Sequence, residues 1–419
     1  MLFYDAMFAP LVDAIRPRLE TVEHFFVFDG EGEYRALIDA EDGDYAWVAG
    51  GERDPCGLCY TSGTTGHPKG VLYEHRSNVI HAITECQPDA FDLSVRTVML
   101  PIVPMFHANA WGIPYACAAV GAKLVLSASN DAGVLCGLFR DEGVTHSAGV
   151  PTVWLAMFAE MDRTGVTDFA ALKHVIIGGS AAPRAMIERL MKAGVFVGHA
   201  WGMTETSPIG TIGARPAQWD AMPFDERIDL LAKQGRPTFG VELRAVDEDG
   251  FVLPRDGQSS GRLHIRGPWV IERYFGLDDG SAVDADGWFD TGDVAAIHPD
   301  GTMQITDRAK DVIKSGGEWI SSIDLENAAM SCAGVGEAAA IGVAHPKWAE
   351  RPLLLVVRKP GTEVTADAIR ADLSDRIAKW WLPDEILFVD ELPHTATGKI
   401  LKRALRDRYR DHVLPGGKS

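Results

Sequence analysis

Short apolar runs punctuate the first two hundred residues, at 25–28, 57–60, 97–100, 123–126 and 174–177. Runs of this length bounded by polar residues read as strands. Between them lie helical patterns such as 183–192, where Met186, Ile187, Leu190 and Met191 recur at helical spacing. The alternation predicts an α/β fold of parallel-rich sheets with flanking helices. Around Gly240 the texture changes: GVELRAV and RLHIRG, joined through the turn pairs Asp249-Gly250 and Asp256-Gly257, predict a small antiparallel or barrel-like unit. Further apolar runs at 338–343, 353–357 and 386–389 surround a helix predicted from about Thr365 to Lys379, with Ile369, Leu373 and Ile377 as its stripe. The chain therefore divides into a large domain, 1–306, a charged junction, 307–311, and a small α+β domain, 312–419.

Residues 97–122 contain no Asp, Glu, Lys or Arg, long enough to span a bilayer. They also hold Pro101, Pro104, Pro114, His107 and Asn109, so the stretch reads as strand, loop and buried helix rather than a transmembrane segment. A formal net charge of −19 argues against nucleic acid or an anionic membrane as the main partner, since both require a basic face. Six cysteines in 419 residues make no disulfide framework. Cys56 and Cys59 lack a second pair for zinc and read as small residues leading into a buried strand. With no signal-peptide pattern at the N-terminus, the expected location is cytoplasmic.

Candidate chemistry begins at residues 60–70, YTSGTTGHPKG. Thr61, Ser62, Thr64 and Thr65 supply hydroxyls, Gly63 and Gly66 let backbone N–H groups approach an anion, and Lys69 balances charge. The spacing is not that of a Walker loop, in which four residues separate the glycines and Lys follows the second. Downstream, HAWGMTE puts Trp201 beside Thr204 and Glu205, suited to a base, a phosphate and Mg²⁺ in turn. GWFDTGD ends in Asp293, a carboxylate suited to a ribose diol, and DRAKD offers Arg308. Thr397-Gly398-Lys399 sets a lysine on a glycine-bearing loop before a basic helix.

In this order the stretches resemble the adenylate-forming (AMP-binding) superfamily of acyl-CoA synthetases, luciferases and peptide-synthetase adenylation domains, from Tyr60 to about Arg406. PMFHANAW, GGSAAP and KSGGEWISS are similar to its bacterial long-chain fatty acyl-CoA synthetase branch, and ligases for short thioether acids share much of this text. The resemblance implies an ATP-dependent ligase that forms an acyl-adenylate and passes the acyl group to coenzyme A, with Mg²⁺ on Thr61 and Glu205. Gly179, His199, Ala200, Trp201 and Gly202 would frame adenine, with Thr204 on the α-phosphate and Asp293 on the ribose. Arg308, Lys310, Lys314 and Trp319 would complete the nucleotide site around a hinge at 307–311. His107 would lie beside the acyl carboxylate, Trp111 would gate the tunnel, and Lys399 would assist adenylation.

Two further readings stand beside a fatty acid as substrate: a short or thioether acid such as methylmercaptopropionate, and a nucleotide-binding remnant with little activity. Only 59 residues precede Tyr60, and their text resembles the middle of the family's first subdomain, so that subdomain is expected to be N-terminally shortened. Peripheral membrane contact and a homodimer remain open at this level.

Overall fold

In a computed structural model of the chain, residues 1–28, 32–61, 68–277, 281–316, 318–395 and 399–415 are described. They form two compact units, Met1–Gly51 and Glu52–Ser419. In the first, strands Leu2–Asp5 and Phe25–Phe28 pair in parallel. Two strands alone bury little, and aromatic rings supplement them. Phe3 stacks on Phe26 at 5.2 Å, and Tyr34 of helix Glu33–Asp39 meets Phe28 edge-on at 4.7 Å.

The second unit is built on a seven-stranded sheet in the order Arg236–Pro237, Ile209–Ile212, Phe196–Gly202, His174–Ile177, His146–Gly149, Val98–Pro101, Lys123–Leu124. From Phe196–Gly202 onward the pairing is parallel, and the first two strands join antiparallel. Successive residues feed opposite cores, because side chains alternate along a strand. Met99, Ala148 and Ile176 enter one layer, and Leu100, Val175 and Ile177 the other. Strand His174–Ile177 is buried throughout, as a parallel strand covered on both faces should be. Helices Pro151–Thr164 and Arg184–Lys192 contribute Trp154, Met157, Ile187 and Leu190 to the second layer.

The unit expected after Gly240 is an antiparallel sheet of Glu242–Val246, Ser260–Arg266, Phe289–Ile297 and Met303–Arg308. Strand Pro55–Tyr60 lies at the edge of a three-stranded sheet, paired with Gly70–Glu74, which also pairs with Tyr274–Phe275. It is not the buried strand expected from its cysteines, since Cys59 is buried but Cys56 is exposed. Residues 97–122 form strand Val98–Pro101, a turn and helix Ile113–Val120, and among the described residues no helix is long and apolar enough to cross a membrane.

Toward the C-terminus, strands Val335–His345 and Ala349–Arg358 form a long antiparallel pair, and Glu385–Phe388 joins the second in parallel. Leu354 and Val356 enter one core, Leu353 and Leu355 another. The helix expected to reach Lys379 is Ala366–Ser374, started by the Thr365 hydroxyl accepting from the Ala368 N–H at 3.2 Å. Extended backbone at Ala378 separates it from the short turn Lys379–Trp381.

Candidate active site

Tyr60 pairs with Gly70, so strands Pro55–Tyr60 and Gly70–Glu74 form a hairpin. Its neck is closed by the Thr61 N–H on the Lys69 carbonyl at 2.9 Å and the Lys69 N–H on Thr61 Oγ1 at 3.0 Å. Ser62, Gly63, Thr64, Thr65 and Gly66 lie outside the described residues. Thr61 and Lys69 open onto a cavity of about 380 Å³.

The strand end Phe196–Gly202 and the turn after it bring Ala200, Trp201, Gly202, Thr204 and Glu205 to the same cavity. The Trp201 indole N–H donates to Asp293 Oδ2 at 2.8 Å, and Arg308 Nε lies 3.0 Å from Oδ1. Both donors hold the nearly inaccessible Asp293 carboxylate in one orientation. Arg308 and Lys310 reach the cavity from the end of the antiparallel sheet and the segment following it. Burial, with Arg308 nearby, lowers the Lys310 amine from its ordinary value.

Glu205 Oε1 accepts the Tyr274 hydroxyl at 2.8 Å, and the Lys69 ammonium sits 4.5 Å from the centre of the Tyr274 ring. Tyr73 donates to the Thr204 carbonyl at 2.9 Å. Neither tyrosine stood out in the sequence. Their contacts span 69 and 131 residues, which local spacing does not record. Among the described residues no cluster of three His, Cys, Asp or Glu side chains could hold a metal. One carboxylate and one hydroxyl still suit Mg²⁺, a hard cation that takes oxygen ligands and draws the rest from phosphate and water.

Opposite stands a turn of unusual hand. Ala108, Asn109, Ala110, Trp111 and Gly112 all have positive φ, between 46° and 80°. For L-residues this costs about 1–2 kcal/mol each, so packing must enforce it. The turn brings Trp111 against Gly178, where an added Cβ would lie 3.2 Å from the indole. Gly179, with φ +82°, leaves room for Lys399, whose Cε would be 3.4 Å from a Cβ there.

Lys399 and His107 line the cavity together. Burial, reinforced by Arg308 and opposed by Asp293, lowers the Lys399 amine to about 8. Burial, with Lys399 beside it, lowers the His107 imidazole to about 4, so it is neutral near pH 7. Lys402, three residues on, anchors this segment: its ammonium lies 2.7 Å from Glu326 and 2.6 Å from Ser322 Oγ. Ser322 in turn donates through N–H and hydroxyl to Asp307, at 2.6 and 2.9 Å.

Asp293 and His199 line an adjoining cavity of about 330 Å³ that shares Gly179, Trp201, Arg308 and Lys399 with the first. The His199 ring accepts the Ala182 N–H at 3.3 Å and faces the Leu231 and Ala232 carbonyls, which makes its side chain part of the scaffold. Lys314 and Trp319 face each other across the hairpin of Ile313–Ser315 and Glu318–Ile320 and line neither cavity.

The AMP-binding enzyme family matches residues 2–275, and the AMP-binding enzyme C-terminal domain matches residues 324–399. A 3-methylmercaptopropionyl-CoA ligase of Ruegeria lacuscaerulensis is 47% identical over 424 residues, covering 98% of this chain and 78% of the relative. A medium-chain-fatty-acid–CoA ligase of Ectopseudomonas oleovorans is 46% identical over 432 residues, covering 100% of this chain and 79% of the relative. Among solved structures, ATP-bound MatB from Rhodopseudomonas palustris superposes with a TM-score of 0.85 at 25% identity, covering 98% of this chain and 79% of that one. Ligases of this kind use ATP with Mg²⁺ and coenzyme A. The chain belongs to the AMP-binding enzyme family, and within it to the acid–thiol ligases that make acyl-CoA.

Proposed function

We propose that the protein activates a fatty acid as its acyl-adenylate and transfers the acyl group to coenzyme A. The observation that carries the reading is the meeting of Lys399, His107, Thr204 and Glu205 on one cavity whose other wall is apolar, with Phe91, Trp111, Ile209 and Phe289. Cations and hydroxyls suit a triphosphate, and the apolar wall suits an acyl tail.

A carboxylate acylates poorly because its leaving group is oxide. In the first half-reaction one carboxylate oxygen attacks the α-phosphorus of ATP, the bond to the β-phosphate oxygen breaks, and pyrophosphate leaves. The chain's task is to hold two anions in line and to offset charge that develops on phosphate. Lys399 and Arg308 supply positive charge, and neutral His107 orients the acid without repelling Lys399. Thr204 donates its hydroxyl to the α-phosphate, and Asp293 holds the ribose. Thr61 and Glu205 would hold Mg²⁺, which when bound neutralises charge on the phosphates. In the second half-reaction the coenzyme A thiol, losing its proton, attacks the acyl carbonyl and AMP departs. Lys399 must withdraw to admit that thiol, with residues 307–311 as the hinge.

Six free cysteines agree with a reducing, cytoplasmic location. A second reading, a short thioether acid, is favoured by the likeness to the 3-methylmercaptopropionyl-CoA ligase of Ruegeria lacuscaerulensis. Acid-dependent pyrophosphate release across acids from propanoate to palmitate tests the proposal. Release with fatty acids supports it, release with short acids alone supports the second reading, and none with any acid leaves a nucleotide-binding remnant.

A further inference from the structure

A cation aimed at developing charge must be held to within about 0.5 Å, and a misplacement of about 1 Å can cost about 10²-fold in rate. The side chains that could hold Lys399 so closely lie behind it. Helix Lys402–Arg408 starts three residues beyond Lys399. The Lys402 ammonium donates to Glu326 Oε1 at 2.7 Å and to Ser322 Oγ at 2.6 Å, and both partners belong to helix Ser322–Met330. The Lys402 and Glu326 side chains are only 11% and 15% exposed, so salt screens the pair little. Glu326 Oε1 also accepts the Ala340 N–H at 2.8 Å, which ties it to strand Val335–His345.

The start of helix Ser322–Met330 is fastened in turn to the antiparallel sheet. Asp307 is fully buried and pairs with Val294 within that sheet. Its carboxylate accepts the Ser322 N–H at 2.6 Å, the Ser322 hydroxyl at 2.9 Å and the Arg308 N–H at 2.7 Å. A carboxylate from another element thereby satisfies a free N–H at a helix N-terminus, where the dipole favours negative charge. Beside it, the Ser321 hydroxyl donates to the Thr306 carbonyl. One turn along helix Lys402–Arg408, Arg406 pairs with Asp311. Charge-assisted bonds thus run from the sheet through Asp307, Ser322 and Lys402 to the backbone that carries Lys399.

We propose that Lys402 is a positioning residue for the first half-reaction: it fixes Lys399 in the cavity by fastening that segment to Glu326 and, through Ser322, to Asp307. The inference deepens the ligase reading and rests on it. Asp307 stands at the start of the proposed hinge and Ser322 beyond its end, so their bonds part when Lys399 withdraws. The second half-reaction therefore proceeds without this fastening. Lys402 and Asp307 also border the adjoining cavity, so positioning has to be separated from direct contact with the nucleotide.

Acid-dependent exchange of labelled pyrophosphate into ATP, measured beside thioester formation from supplied acyl-adenylate, makes that separation. Lys402→Met should lower kcat for exchange by about 10–10²-fold, with the KM for ATP and thioester formation unchanged. That variant leaves the Glu326 carboxylate without its cation. Lys402→Met/Glu326→Gln, which removes both charges and keeps an acceptor for the Ala340 N–H, should therefore fold more readily and show the same split. Ser322→Ala, which removes one hydroxyl, should lower kcat for exchange by about three- to tenfold. Exchange at the wild-type kcat in Ser322→Ala overturns the inference, whether or not the Lys402 variants fold. Equal loss of both half-reactions overturns it too, as does a raised KM for ATP at unchanged kcat, which would make Lys402 a nucleotide contact. Exchange by the wild-type chain with no acid present would instead sink the ligase reading itself.

Discussion

Replacing Lys399 gives the sharpest prediction for the first half-reaction. The cavity lowers its amine to about 8, chiefly by burial and then through Arg308. A group titrating there is protonated in roughly nine molecules of ten at pH 7 and roughly one of ten at pH 9. If the cation is the active form, activity is full below about pH 7 and falls as the proton is lost. kcat/KM for ATP in the exchange assay, which reports the free enzyme, should therefore drop about tenfold between pH 7 and pH 9. Lys399→Arg should abolish that limb, because guanidinium stays charged throughout. Lys399→Ala should lower exchange by about 10²–10³-fold, the usual cost of one donor aimed at developing charge, and leave it flat with pH. Thioester formation from supplied acyl-adenylate should survive in the alanine variant. An alkaline limb that persists in both variants, or equal loss of both half-reactions in Lys399→Ala, would refute the reasoning.

Two further substitutions probe what holds the site. Tyr274→Phe removes the hydroxyl that fixes Glu205 Oε1 but keeps the ring beneath Lys69, so half-maximal Mg²⁺ should rise about tenfold with little change in the KM for the acid. A Mg²⁺ titration identical to wild type would detach Tyr274 from the metal site. Gly112→Ala combines a backbone at φ +80° with a Cβ 2.8 Å from His81, and chemical denaturation should show a loss of about 1–3 kcal/mol. Stability unchanged within about 0.5 kcal/mol would mean that the left-handed turn relaxes freely.

The parallel sheet was legible in the sequence because buried strands such as His174–Ile177 write themselves as unbroken apolar runs. The end of the helix after Thr365 was not, since Ile377 keeps the apolar period although the helix has already ended at Ser374. Nor did Cys56 and Cys59 reveal an edge strand, because small residues do not record which face is covered. In the site, Lys69, Glu205, Asp293, Arg308 and Lys399 announced themselves by residue type and local spacing. Tyr73 and Tyr274 did not, because their partners are tertiary. The turn at Ala108–Trp111 was invisible for another reason. Four L-residues with positive φ contradict local preference, and only the surrounding packing can impose them.

The central claim is that this cavity joins a carboxylate to the α-phosphorus of ATP. Exchange of labelled pyrophosphate into ATP, measured with and without acid and Mg²⁺, tests it most directly. The account predicts exchange only when acid and Mg²⁺ are both present, with AMP and acyl-CoA accumulating once coenzyme A is added. Formation of ADP, exchange that ignores the acid, or no exchange with any acid from propanoate to palmitate would contradict it.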